Sequence, residues 1–183
     1  MCNKLLWITV VLFVGTRTAL PDEGEVRGAA PAITSAVMQA DDALPAADSR
    51  VSARDFGAVG NGTDDDTPAL QAALDAAQTQ GPICFLPAGH YRLDGSVTVP
   101  PGVTLLGASG GVPHSEHPIG TVLLAYGGKG QADGPPLVTL KPNAVIRNVT
   151  IHYPEQTLPD VVPYPWTIRG DGELCQVLDV TLT

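Results

Sequence analysis

Aromatic and charged side chains are both scarce in this sequence. Phe, Trp and Tyr make up 5% of its 183 residues, and Asp, Glu, Lys and Arg 16%, where about a quarter is usual. The core must therefore be aliphatic. Basic residues are few, 10 against 19 acidic, for a net charge of -9. That balance argues against nucleic acid and anionic membrane surfaces as partners, because a polyanion is repelled. It also disfavours a polyanionic sugar unless a cation bridges the two. There are only three cysteines, with no Cys-x-x-Cys or Cys/His spacing, so nothing points to zinc. The apolar run from Leu5 to Val14 is too short to span a bilayer comfortably. What the chain has in plenty is Gly (20) and Pro (17), which suits a turn-rich β protein better than a helical bundle.

At the extreme N-terminus, Lys4 followed by that apolar run has the form of a secretory signal peptide, over residues 1–19. The cleavage site is open: Arg17 sits poorly for a cut after Ala19, and a cut after Ala30 is an alternative. The expected location is secreted or periplasmic, with no membrane attachment once the signal is removed. Cys2 would leave with the signal. Export permits a Cys84–Cys175 disulfide, but both lie in apolar, strand-like stretches where buried thiols behave as small hydrophobes. Residues 20–50 are rich in Ala, Pro and Asp, show no sustained period, and read as a flexible linker.

Order is expected from Val51 to Thr183. Asn61-Gly62 reads as a turn. In the run Asp64-Asp65-Asp66, followed by Thr67 and Pro68, Asp65, Asp66 and Thr67 read as helix-capping residues. Asp66 or Thr67 serves as N-cap, its side-chain oxygen accepting from free N–H groups, and Pro68 stands at or near the first helical position. Ala69, Leu70, Ala73, Leu74 and Ala77 make one apolar face, and Gly81-Pro82 ends the helix, giving 67–80. A metal reading of the aspartates fails on spacing, since nothing repeats the alternation of a calcium loop.

Beyond the helix the pattern becomes strand–turn–strand. VTVPPGVTLLG, VTLKPNAVIRNVTI and WTIRGDGELCQVLDVTL are imperfect repeats of one unit, each with a Pro, Gly, Asn or Asp turn. Such repeats predict an all-β solenoid, a parallel β-helix whose coils stack strand on strand, with the helix at 67–80 covering the first coil. A β-sandwich would need tight hairpins, and few are visible.

The segments RDFGAVGNGTDDDTPALQAALDAA, GPICFLPAGHYRLDGSVTVPPGVTLLGAS and NVTI resemble the N-terminal part of the pectate lyase superfamily, right-handed parallel β-helix proteins with rhamnogalacturonase-like and epimerase-like members. Pro68 replaces a plain helix former of that family, and Cys84 its usual Val. The resemblance implies a secreted protein whose partner is polysaccharide, acting as a lyase or glycoside hydrolase. A lyase would imply Ca2+; no other cofactor is evident. In such families the catalytic groups sit on later coils, so the catalytic residues are expected beyond Thr183, in a longer chain. The alternative is a non-catalytic β-helix module that binds carbohydrate, as an adhesin or tailspike-like protein. Oligomeric state is not legible.

Candidate substrate-binding residues are Tyr153, Tyr164 and Trp166, which flank the Pro-rich stretch PEQTLPDVVPYP and could stack on sugar rings, and Arg169 and Asp171 in IRGDGE. The bland readings are core packing for the aromatics and a solvated turn for Arg169, Asp171 and Glu173. His114, Glu116 and His117 read as a surface loop rather than a metal site. Asn61 and Asn148 begin glycosylation sequons, which matter only in a eukaryotic secretory pathway.

Overall fold

A computed structural model describes residues 50–108, 119–157 and 159–183. The signal peptide, residues 20–49 of the linker and the His114–His117 loop lie outside them. The first strand begins at Arg50, one residue inside the expected linker.

The chain winds as stacked coils. The first holds β1 (Arg50–Ser52) and β2 (Asn61–Asp65), and the helix α1 (Thr67–Gln80) follows. The second holds β3 (Ile83–Leu86), β4 (Gly89–Leu93) and β5 (Val97–Val99); the third β6 (Thr104–Gly107), β7 (Thr121–Ala125) and β8 (Val138–Leu140). Then come β9 (Val145–His152), β10 (Ile168–Gly170) and β11 (Gln176–Leu182). Every strand pairing is parallel and joins one coil to the next. Three faces result: β1-β3-β6-β9, β2-β4-β7-β9 and β5-β8-β10. β9 belongs to two faces because it turns a corner, pairing first with β6 and then with β7. This is the parallel β-helix; a sandwich would require antiparallel hairpins.

Register places like residues above one another. Val51, Cys84, Leu105, Ile146 and Val177 form one inward column. Tyr91, Leu123, Ile151 and Leu182 form another. Within the stack these side chains are buried, each contributing about 1.5–3 kcal/mol for a large aliphatic residue. In the last described strand Val177 is 49% and Leu182 58% exposed. The corners stack too. Gly102, Asn143 and Leu174 occupy equivalent positions and share left-handed backbone, with φ of 71°, 60° and 57°. Gly and Asn adopt that conformation readily and Leu does not.

Helix α1 has the bounds the periodicity predicts, and Leu70, Ala73, Leu74 and Ala77 are buried against β1, β3 and β5. Its start corrects the sequence reading. Asp66 is the N-cap by backbone, its carbonyl accepting from Leu70 N–H, but its side chain makes no cap hydrogen bond. The carboxylate is 1% exposed and turns back to accept from the N–H groups of Val59 (2.6 Å) and Gly60 (3.1 Å). Asp65 takes over the amide at the helix start, accepting from Thr67 N–H at 3.0 Å and from the Thr67 hydroxyl. Burial acts to raise the Asp65 pKa; the Thr67 hydroxyl and the amides of Thr67 and Asp94, with Arg92, outweigh it and leave the group below its ordinary value. Thr67 is no cap either: its oxygen accepts from the Asp94 and Gly95 amides, tying the helix to the end of β4.

Asn61-Gly62, expected as a turn, lies within β2. The tight bend survives as an irregularity inside the strand: Asn61 Oδ1 accepts from the amides of Thr63 and Asp64, and the register with β4 shifts between Asn61 and Asp65. Likewise Arg169 and Gly170, expected in a turn, belong to β10.

Cys84 and Cys175 are both free thiols. Cys84 is fully buried in its column, and desolvation pushes its thiol from 9.0 up to about 12. The folded protein thus holds the proton where the unfolded chain releases it. That contribution is complete below pH 9 and is lost as pH rises toward about 12. Cys84→Val is expected to flatten the alkaline side of the stability profile, read as urea midpoints from pH 8 to 10.5. An unchanged slope would contradict the assignment.

Candidate functional site

The segment from Tyr153 to Thr167 joins β9 to β10 and is held at several points. Tyr153 Oη and Thr167 Oγ1 are 2.7 Å apart, and the rings of Tyr153 and Tyr164 meet edge to face with centroids 4.8 Å apart. Gln156 closes a loop on itself, donating to Val162 O at 2.6 Å and accepting from Val162 N–H at 3.0 Å. The segment is tied to residues 126–136 by Gly130 N–H donating to Pro163 O at 2.8 Å and by the Lys129–Glu155 ion pair at 3.0 Å.

Trp166 is anchored by its backbone, whose carbonyl accepts from Leu137 N–H at 3.0 Å, while its residue surface is 74% exposed. An indole held out from a backbone fixed two residues before β10 is an unusual expense of apolar surface. Ala132, Tyr164, Pro165, Trp166 and Thr167 line an open cavity of about 400 Å3. Tyr164 Oη is buried and has no hydrogen-bond partner among the described residues. Desolvation raises the Tyr164 pKa, the Glu155 carboxylate raises it further and Lys129 opposes.

A second cavity, about 250 Å3, lies between the β4–β5 turn and the segment after β7, lined by Asp94, Gly95, Ser96, Gly127, Gly128 and Gln131 among others. The Asp94 carboxylate accepts from Arg92 Nε at 2.7 Å, and the Arg92 guanidinium lies 4.5 Å from the centre of the Tyr126 ring. Backbones approach closely here. A Cβ on Gly127 would lie 2.7 Å from Asp94 O, and one on Gly128 2.7 Å from the Pro165 ring. Gly128, which lines this cavity, is thus packed on Pro165, which lines the other.

The structure brings Tyr153, Tyr164 and Trp166 into one group. It separates Asp171 from them: five residues along an extended chain is about 16 Å. Asp171 pairs with Lys141 at 2.6 Å, and that hydrogen bond and charge hold its carboxyl below the ordinary range, with Arg169 adding to the effect. Arg169 stands on β10 between the two. Asp94, Ser96 and Gln131 escaped sequence reading, because Asp94-Gly95-Ser96 looks like any turn and Gln131 has no pattern around it.

Calcium does not fit the acidic run. The Asp65 and Asp66 carboxylates are committed to backbone amides and Asp64 to Asn61, whereas a calcium site needs 6–8 oxygens facing one point. Among the described residues no group of three or more His, Cys, Asp or Glu is placed to hold a metal, and no helix is long and apolar enough to cross a membrane.

Comparison with known proteins follows the same line. The family model described as "Rhamnogalacturonase A/epimerase, pectate lyase-like" matches residues 50–156. Mannuronan C5-epimerase AlgE3 of Azotobacter vinelandii is 48% identical over 67 residues, 32% of this chain and 4% of its own. A glucan 1,3-beta-glucosidase of Cochliobolus carbonum is 42% identical over 57 residues, 31% of this chain and 7% of its own. The chain thus spans a small part of the length of these relatives. Among solved structures, ORF18 of Geobacillus virus E2 superposes with a TM-score of 0.50 at 20% identity, over 72% of this chain and 25% of that one, a likeness of fold.

Proposed function

The chain belongs to the rhamnogalacturonase A/epimerase, pectate lyase-like family, and from that footing we propose that it supplies a polysaccharide-binding face of an exported carbohydrate-active enzyme, a lyase or a glycoside hydrolase. One observation carries the reading: Trp166, 74% exposed and held by its backbone two residues before β10, lines an open cavity of about 400 Å3 beside Tyr164. An exposed indole face is what a sugar ring stacks on. The names of the relatives, an epimerase of mannuronan and a glucosidase of glucan, support a polysaccharide as the ligand.

The same residues favour binding over bond cleavage. Hydrolysis requires two carboxylates about 5–9.5 Å apart, and among the described residues Asp94 is the one carboxylate lining either cavity. A binding module without chemistry of its own is therefore the second reading.

In a Trp7→Phe background the remaining tryptophan reports on the site directly. Adding oligosaccharide is expected to shift its emission, and Trp166→Ala to weaken binding by about tenfold in calorimetry, one anchoring contact being worth about 1.4 kcal/mol or more. Unchanged affinity in a folded Trp166→Ala protein would overturn the assignment.

A further inference from the structure

Tyr153 connects the core of the coil stack to two residues that flank Trp166 in the chain. Its backbone N–H donates to Thr183 O at 3.0 Å, extending the ladder of β9 and β11, and its ring packs against the core. From that rooted position it makes two further contacts. The hydroxyl lies 2.7 Å from Thr167 Oγ1, and the ring meets Tyr164 edge to face with centroids 4.8 Å apart. Tyr164 and Thr167 line the cavity with Trp166, Ala132 and Pro165; Tyr153 is not among the lining residues.

The backbone beside the cavity has its own support. Trp166 O accepts from Leu137 N–H and Thr167 O from Val138 N–H, each at 3.0 Å. Those bonds fix where the chain runs and leave the side-chain rotamers open. Tyr153 supplies the missing order. An edge-to-face pair favours one relative orientation of the two rings, and a hydrogen bond between hydroxyls selects one staggered position for Thr167. Side chains ordered before a ligand arrives make its binding less costly. A site competent only part of the time binds more weakly in proportion to that fraction.

Resting on the carbohydrate-binding reading above, we infer that Tyr153 is a positioning residue of the Trp166 site and does not itself touch the sugar. Its hydroxyl sets Thr167 and its ring sets Tyr164.

The test measures binding kinetics of the full chain on immobilised hexasaccharides of 1,3-β-glucan, mannuronan and polygalacturonan. Tyr153→Phe removes the bond to Thr167 and keeps the ring. It is expected to weaken binding of the best probe by about fivefold, the worth of roughly one hydrogen bond. The loss falls on the association rate and leaves the dissociation rate unchanged, because fewer molecules are competent at encounter. Trp166→Ala removes a contact and is expected to raise the dissociation rate instead. Thr167→Val breaks the same bond from the other side, and the double variant is expected to bind no worse than the weaker single one. Unchanged rates for Tyr153→Phe with only a lowered urea midpoint would mark a role in folding alone and overturn the inference. A loss that lies in the dissociation rate, or additive losses in the double variant, would also overturn it. In each of these cases weakened binding by Trp166→Ala leaves the binding face standing. Parent-like binding by Trp166→Ala, or no binding to any probe, would overturn both.

Discussion

Asp66→Ala is expected to destabilise the protein by about 2–3 kcal/mol, the scale of losing hydrogen bonds to a charged acceptor. The carboxylate accepts from Val59 and Gly60 at 2.6 and 3.1 Å and is 1% exposed. It thereby fastens the chain entering β2 to the first residue before α1. Truncation leaves both amides part-buried and unpaired, while the relief of no longer burying a charge offsets some of the loss. Asp66→Asn should fall between, since it keeps one acceptor oxygen but directs an NH2 at an N–H donor. Urea unfolding followed by circular dichroism separates the three proteins. A loss below about 0.5 kcal/mol for Asp66→Ala, the range of ordinary surface changes, would show the carboxylate to be incidental.

The second large effect is steric. Gly107 ends β6 at a corner, opposite Asn148 in the next coil. A Cβ at 107 would overlap the Asn148 carbonyl oxygen and lie 2.9 Å from Val149 Cγ1. Neither side can give way. Both obstacles sit on β9, which is paired with β6, β7 and β11 and has left-handed backbone at Asn148, φ 58°. Gly107→Ala is expected to cost about 3 kcal/mol and to lower Tm by about 6–12 °C for a chain of this size. Gly102→Ala is the matched control. Its Cβ would meet open space, but its φ is 71°, so only backbone strain applies, about 1–2 kcal/mol. If the two variants melt together, overlap at the corner is not what reserves position 107 for glycine.

Both predictions concern residues whose roles depend on tertiary geometry, a chain reversal six to seven residues long for Asp66 and a neighbouring coil for Gly107, and that divides what was legible from what was not. The helix was legible to its ends. Leu70, Ala73, Leu74 and Ala77 recur with the helical period, and Gly81-Pro82 stops it; both signals act within a few residues. The strand–turn–strand units were legible for the same reason, since alternation and turn residues are local, and parallel stacking followed from their repetition. The aromatic candidates Tyr153, Tyr164 and Trp166 were visible as residues around an insertion, though not as a group.

What tertiary structure decided is where local pieces meet. The sequence alone determined that a helix begins after Asp66; only the fold showed that the Asp66 carboxylate serves Val59 and Gly60, because local capping competes with amides brought alongside. Asp171 was a candidate from the IRGDGE turn, and the fold pairs it instead with Lys141 of the preceding coil. Asp94, Ser96 and Gln131 come together only because β4 and β7 pair in register, so that the segments leaving them emerge side by side. Period and turn chemistry are properties of a short peptide. A groove is a property of which coils lie next to one another, and that is set by inter-strand register over distances no local pattern records.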